Sequence, residues 1–160
     1  MSKLAIYPGS FDPVTLGHVD IVERSLQLFD RVIVLIAESA QKKSLFSLSE
    51  RKEMLQEVLK EHERVTVDSC SGLLVDYAAQ KKASAIIRGL RAISDFEYEF
   101  QMAAMNKRLM PSIDTIFMMT SENYFFVSSH LTKEVSSLGG SLTDIVPPLI
   151  EKRLKEKFKK

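Results

Sequence analysis

The sequence predicts an α/β protein built on a doubly wound, five-stranded parallel sheet with helices on both faces. Five short runs rich in valine and isoleucine recur along the chain. They alternate with amphipathic stretches long enough to serve as crossover helices. The runs show little polar alternation, which suits strands covered on both faces and therefore a parallel sheet.

In chain order the first run is KLAIY at 3–7. It leads into an elbow, YPGSFDPVTLGH at 7–18, where two prolines and two glycines interrupt the strand and a helix is expected from about Thr15. RVIVLIA at 31–37 reads as the second strand. SLSE at 47–50 follows, with the S-x-x-E form in which serine and glutamate satisfy each other's exposed amides at a helix start. RVTVDSC at 64–70 and SAIIRG at 84–89 give the third and fourth strands. SDFE at 94–97 repeats the capping pattern and predicts a helix opening near Ser94. DTIFMMT at 114–120 is the fifth strand, and Pro111 and the Pro147-Pro148 pair punctuate helix boundaries. The tail IEKRLKEKFKK at 150–160 is a basic amphipathic helix, read as a solvated terminal helix.

A chain of 160 residues, 45% hydrophobic and 27% charged, has enough apolar surface for one core, so residues 1–160 are expected to form a single domain. With 22 Lys and Arg against 21 Asp and Glu, the net charge of +1 supplies no field that would draw nucleic acid or a membrane surface. Any cationic site must be local. The lone Cys70 closes no internal disulfide, the N-terminal residues lack a signal-peptide apolar stretch, and no segment has the length of an apolar span. A reducing cytoplasm is the expectation.

In an open parallel sheet, ligands bind beyond the carboxyl ends of the strands. That rule selects five loops: the elbow, ESAQKK at 38–43, SGLL at 71–74, RGLRAISDFE at 88–97 and SENYFFVSSHLTKE at 121–134. In the elbow, Gly9 permits a close backbone approach, Ser10 brings a hydroxyl, and the following helix aims free amides and positive dipole at the loop. Such a place attracts phosphate. His18 falls in the first turn of that helix, behind Gly17. A lone histidine there packs or caps; in this company it becomes a candidate for touching an anion. The loop matches neither G-x-G-x-x-G nor G-x-x-x-x-G-K-[ST], which argues against a dinucleotide dehydrogenase and a P-loop kinase.

TLGH at 15–18 resembles the H-x-G-H element of the nucleotidyltransferase superfamily, with threonine in first place. The elbow through Ser25, the lysine pair at 42 and 43, the stretch IIRGLRAISDFEYEFQMAAMNKRLMP at 86–111 and VSSHLTKEV at 127–135 are together similar to the phosphopantetheine adenylyltransferases. The resemblance covers nearly the whole chain. It implies the Rossmann-like nucleotidyltransferase fold and a magnesium-assisted (Mg2+) transfer of AMP from ATP to 4′-phosphopantetheine in coenzyme A biosynthesis. A homohexamer, and feedback by coenzyme A competing for the pantetheine pocket, are implied as well.

The residues themselves fit such chemistry to different degrees. Arg88, at a predicted strand end, would be partly desolvated and so needs an anion, and its planar fork suits phosphate. Arg91 can reach the same cleft, whereas Lys42, beside Lys43, reads alone as a surface cation. Glu99 shares a helix face with Met102 and Asn106, with Met105 close by; periodicity alone makes the methionines core filling, and Leu74 likewise. The resemblance implies more. It puts His18 on the transition state, Lys42 and Arg88 on the acceptor phosphate, Arg91 on the ATP phosphates, and Ser10 beside Lys42 to orient the nucleophile. It puts Leu74, Met102, Met105 and Asn106 along the pantetheine arm. For ATP it implies Ser10, Phe11, His18, Gly89, Leu90, Arg91, Glu99, Tyr124, Phe125, Phe126, Val127, Ser128, Ser129 and His130. His130 and Tyr124 stand where the family more often has serine and tryptophan.

No acidic cluster with metal-ligand spacing appears, so magnesium ligands stay open and ATP itself can hold the ion. Two rival readings remain at this level. One is an adenylyl- or cytidylyltransferase for another phosphorylated acceptor, such as nicotinate mononucleotide or glycerol phosphate, although the R-T-x-G-x-S-T element of the glycerol-phosphate enzymes differs from VSSHLTKE. The other is a nucleotide-binding module without turnover.

Overall fold

The computed structural model describes residues 2–38 and 43–159. Lys42 falls outside them. The strands are β1 (Leu4–Gly9), β2 (Arg31–Ala37), β3 (Val65–Cys70), β4 (Ala85–Leu90) and β5 (Asp114–Met119). The helices are α1 (Leu16–Leu28), α2 (Leu48–Val58), α3 (Leu74–Lys81), α4 (Ile93–Leu109), α5 (Ser129–Ser137) and α6 (Pro148–Phe158), with a 3-10 turn at Glu122–Tyr124. All strand pairs are parallel, in the order β3-β2-β1-β4-β5. The doubly wound expectation holds.

Alternation along the strands splits the core in two. Ala5, Tyr7, Val32, Val34, Ile36 and Ile87 face a cluster completed by Ile21 and Val22 of α1, Met54 and Leu55 of α2 and Ile150 and Leu154 of α6. Ile6, Ile33, Leu35 and Ile86 face the other way, onto Val75 and Ala78 of α3 and onto Ile113. Both faces are therefore covered, which explains why the strand sequences show so little polar alternation.

The chain winds outward from β1 to β3 and then crosses back to place β4 on the other side of β1, so the winding direction reverses between β1 and β4. The ladders are unequal there. β1 pairs with β2 over six positions, from Leu4 against Arg31 to Gly9 against Ile36, but with β4 only at Ala5 and Ile6. β1 runs on through Pro8 and Gly9, two residues beyond the expected end. Pro8 has no N–H to give a ladder, and its carbonyl accepts from Arg88 Nη1 at 2.6 Å. The gap between β1 and β4 is thus written into the backbone.

Two local expectations are corrected. The capping pair at 47–50 forms, with Glu50 N–H donating to Ser47 Oγ and Ser47 N–H to Glu50 Oε2. The second pattern does not: α4 opens at Ile93, with Ala92 at the N-cap position and no side chain capping it. In that first turn Asp95 instead folds its carboxylate back onto the backbone N–H and Nε of Arg91, at 3.3 and 3.1 Å. Nor is the tail merely solvated. α6 buries Ile150 and Leu154 completely, packs Phe158 against the main cluster, and is tied to α2 by Lys157 to Glu50 at 2.8 Å.

Candidate active site

A cleft of about 300 Å³ opens where β1 and β4 part, as the switch-point rule requires. Its walls are the elbow after β1, the end of β4 with the first turns of α4, and the residues that lead into α5.

The elbow is held from beneath. Phe11 takes a left-handed backbone conformation (φ 46°) and turns its ring inward, 1% exposed, edge-on to Tyr7 at 5.5 Å and to His18 at 5.0 Å. A Cβ on Gly9 would meet that ring at 2.9 Å, so glycine at this position lets the phenyl lie under the loop. Asp12, 5% exposed, accepts from the backbone N–H groups of Leu45 and Phe46, both at 2.9 Å, and from Lys133 Nζ at 2.9 Å. One buried carboxylate therefore fastens the elbow to the chain before α2 and to α5. Arg51, buried on α2, adds a bond from Nη1 to the Ser10 carbonyl at 2.8 Å.

Thr15 caps α1, and His18 is the third residue of that helix. The backbone N–H of Thr15 donates to His18 Nδ1 at 3.0 Å, and Thr15 Oγ1 lies 3.0 Å from the same nitrogen. Because Nδ1 accepts, the ring proton is on Nε2, the edge left for the cleft. Burial lowers the imidazole pKa from 6.5 to about 4, with Arg91 and Arg88 pushing the same way. The ring is neutral at physiological pH and offers a hydrogen-bond donor. Gly17, which also lines the cleft, packs close to Tyr124, since a Cβ there would lie 3.4 Å from Tyr124 Cβ.

Opposite stands a pair of arginines. Arg88 makes a two-pronged ion pair with Glu99, Nε to Oε2 and Nη2 to Oε1 both at 2.6 Å. Burial pulls its basicity down, and Glu99 more than offsets this, so the guanidinium stays charged. Arg91 is more exposed and pairs with Asp95 at 3.1 Å while reaching the Val127 carbonyl at 3.5 Å. Across the cleft Ser128 caps α5 by accepting from Leu131 N–H, and Ser129 donates to the Pro13 carbonyl. Val127, Ser128 and Ser129 all line the wall, so the amide-rich start of a second helix faces the same space as His18.

A family model described as cytidylyltransferase-like matches residues 6–135. A phosphopantetheine adenylyltransferase from Geobacter metallireducens is 54% identical over 99% of this chain and 97% of its own length. One from Caldanaerobacter subterraneus subsp. tengcongensis is 56% identical over 99% of both. The chain belongs to the phosphopantetheine adenylyltransferase family. The fold is shared more widely: a solved Vibrio parahaemolyticus structure named for a nicotinate-nucleotide adenylyltransferase superposes with a TM-score of 0.73 over 100% of this chain and 98% of its own, at 16% identity.

The residues expected of a phosphopantetheine adenylyltransferase divide into three groups. Ser10, His18, Arg88, Gly89, Arg91, Glu99, Val127, Ser128 and Ser129 converge on the cleft. Others lie elsewhere. Phe11 is a core residue whose side chain cannot touch a ligand, Leu90 spends its carbonyl on Thr120, and Leu74 packs on the α3 side of the core. Tyr124 lies against Gly17 but does not line the cleft, whereas Phe125 and Phe126 are exposed and meet edge to face, and His130 turns outward with its side chain 89% exposed. Met102 and Met105 are exposed on α4, Asn106 beside them is half-buried, and none lines the cleft. They are not the core filling that periodicity suggested. Lys42 lies outside the described residues.

A phosphopantetheine adenylyltransferase handles two substrates, and a second cleft of about 470 Å³ adjoins the first. Gly9, Ser10 and Arg88 belong to both, while Glu38, Ser44 and Arg51 belong to the second. Among the described residues no three His, Cys, Asp or Glu side chains come together as a metal site. Asp95 and Glu99, the acids in the first cleft, are each engaged by an arginine. Sequence reading missed Asp12, Arg51 and Lys133, whose partners are 33 to 121 positions away and leave no local trace. Thr15 was visible as a helix start, but not as the group that orients His18.

Proposed function

We propose that this chain transfers AMP from ATP to 4′-phosphopantetheine, releasing pyrophosphate and dephospho-coenzyme A. The observation that carries the reading is the meeting of a neutral imidazole donor, two guanidinium groups and the start of α5 in one cleft, with a second cleft reached through Ser10 and Arg88. ATP fits the first, with its phosphates toward Arg91 and Ser128–Ser129; the acceptor fits the second, with its phosphate at Arg88 and Ser10.

The acceptor phosphate is an anion at neutral pH and needs no general base. One of its oxygens attacks the α-phosphorus in line as the bond to pyrophosphate breaks, so the protein's work is alignment and stabilisation of developing charge. Nε2–H of His18 donates to an α-phosphoryl oxygen in the transition state. Its neutrality leaves that donor available without a proton being moved. Arg91 and the α5 amides offset charge on the leaving pyrophosphate. Magnesium belongs to this scheme as part of the nucleotide substrate, and no step is assigned to it.

Three further parts of the reading concern the assembled protein. α4 buries none of its described side chains and leaves Phe96, Tyr98, Phe100, Met102, Met105 and Leu109 between 42 and 64% exposed, which supports coverage by other copies in a homohexamer. Coenzyme A shares the pantetheine arm and so competes at the second cleft. The enzyme works in the cytoplasm; among the described residues no helix is long and apolar enough to cross a membrane.

The test is pyrophosphate release from ATP by purified protein with and without 4′-phosphopantetheine, and with nicotinate mononucleotide and glycerol phosphate as alternatives. Release that requires 4′-phosphopantetheine is expected. Release with another acceptor only, or with none, overturns the proposal.

A further inference from the structure

Among the described residues, the arginines that line the two clefts differ in whether an acid neutralises them. Arg88 holds Glu99, Arg91 holds Asp95, and Lys133 beneath the elbow holds Asp12. Arg51 lines the second cleft, is 7% exposed, and among the described residues has no carboxylate within 4.0 Å. Its Nη1 donates to the Ser10 carbonyl at 2.8 Å and its Nε to the Ser47 carbonyl at 3.4 Å. These are dipoles, and they leave the positive charge uncompensated. Nη2 has no partner among the described residues. With Nε and Nη1 engaged by Ser47 and Ser10, Nη2 is the nitrogen left on a side chain that lines the second cleft.

We propose that Arg51 is an anion-binding residue of the second cleft: Nη2 takes the phosphate of the acceptor alongside Arg88, while the other two donors hold the elbow at Ser10. This rests on the adenylyl-transfer reading above. A guanidinium is suited to the double task, because its planar fork fixes two protein carbonyls and still presents a charged N–H edge in a defined direction. Arg88 already commits two prongs to Glu99, so among the described residues a doubly charged phosphate arriving between the clefts meets one neutralised arginine and one unneutralised one. The charge on Arg51 thus acts on the acceptor rather than on ATP, whose cleft it does not line.

The experiment is steady-state kinetics on Arg51→Gln and Arg51→Lys beside the wild type. Arg51→Gln is expected to raise KM for 4′-phosphopantetheine about tenfold to a hundredfold, the range for losing a hydrogen bond to a charged group, with KM for ATP changed by less than about twofold. Added salt should raise the acceptor KM of the wild type more steeply than that of Arg51→Gln. Arg51→Lys keeps the charge and should recover most of the loss; if the glutamine variant does not fold, Arg51→Lys still reports through a severalfold rise confined to the acceptor. Equal changes in both KM values, or a fall in kcat with the acceptor KM unmoved, would reduce Arg51 to a brace for the elbow and overturn the proposal. Wild type inert with 4′-phosphopantetheine would sink the functional reading itself; an active wild type with an unaffected Arg51→Gln would sink only the assignment of Arg51.

Discussion

The main-chain N–H of Thr15 points at Nδ1 of His18 from 3.0 Å and so decides which nitrogen of the imidazole keeps its proton. A helix cap, ordinarily a device of local stability, here sets the chemistry of a side chain one turn on. His18→Ala should lower kcat about a hundredfold to a thousandfold, the cost of losing one preorganised transition-state donor, with both KM values within about twofold. Thr15→Ala keeps the main-chain donor and loses only the hydroxyl. It should destabilise the protein by about 1 kcal/mol and reduce kcat far less than His18→Ala does.

The depressed pKa of His18 has a thermodynamic signature. Between the unfolded value of 6.5 and the folded value of about 4, the unfolded chain binds the proton and the folded one does not, so stability falls as pH drops through that window and levels off below it. The full shift corresponds to roughly 3 kcal/mol. Urea denaturation from pH 7 to 4 should be less steep with pH in His18→Ala than in the wild type, and the His18 ring resonances should titrate near 4.

The Arg88 and Glu99 pair, with side chains 30% and 12% exposed, lies between a surface bridge and a buried one. Glu99→Gln should therefore cost about 1 to 3 kcal/mol, less than a fully buried pair and more than an exposed one. A double-mutant cycle with Arg88→Met should return a coupling energy above about 0.5 kcal/mol by chemical denaturation.

Asp12 is the knot beneath the elbow. Asp12→Asn loses the charge that holds Lys133 and one of the two oxygens that accept from Leu45 and Phe46. Stability should fall by about 1 to 3 kcal/mol, and hydrogen exchange at those two amides should accelerate.

The sheet was legible because burial on both faces writes itself into consecutive residues: the run at 31–37 coincides with β2, and the capping pair at Ser47 and Glu50 formed as read. SDFE misled because an S-x-x-E spacing does not specify which residue becomes the cap, and Asp95 found a partner in Arg91 instead. Within the site, Arg88 was identifiable as a desolvated cation at a strand end, but not its pairing with Glu99. Phe11 looked like a loop residue beside the nucleotide, and the left-handed turn that drops its ring into the core is invisible in composition. Asp12, Arg51 and Lys133 act across the fold and could not be read from any window of sequence.

The recess opens where the pairing of β1 with β4 stops after Ile6 and Ile86, so it does not depend on the imidazole of His18. Slowed forms such as His18→Ala should keep an open berth for both reactants. They would serve as traps in which the pair of molecules can be caught side by side, before any bond between them exists.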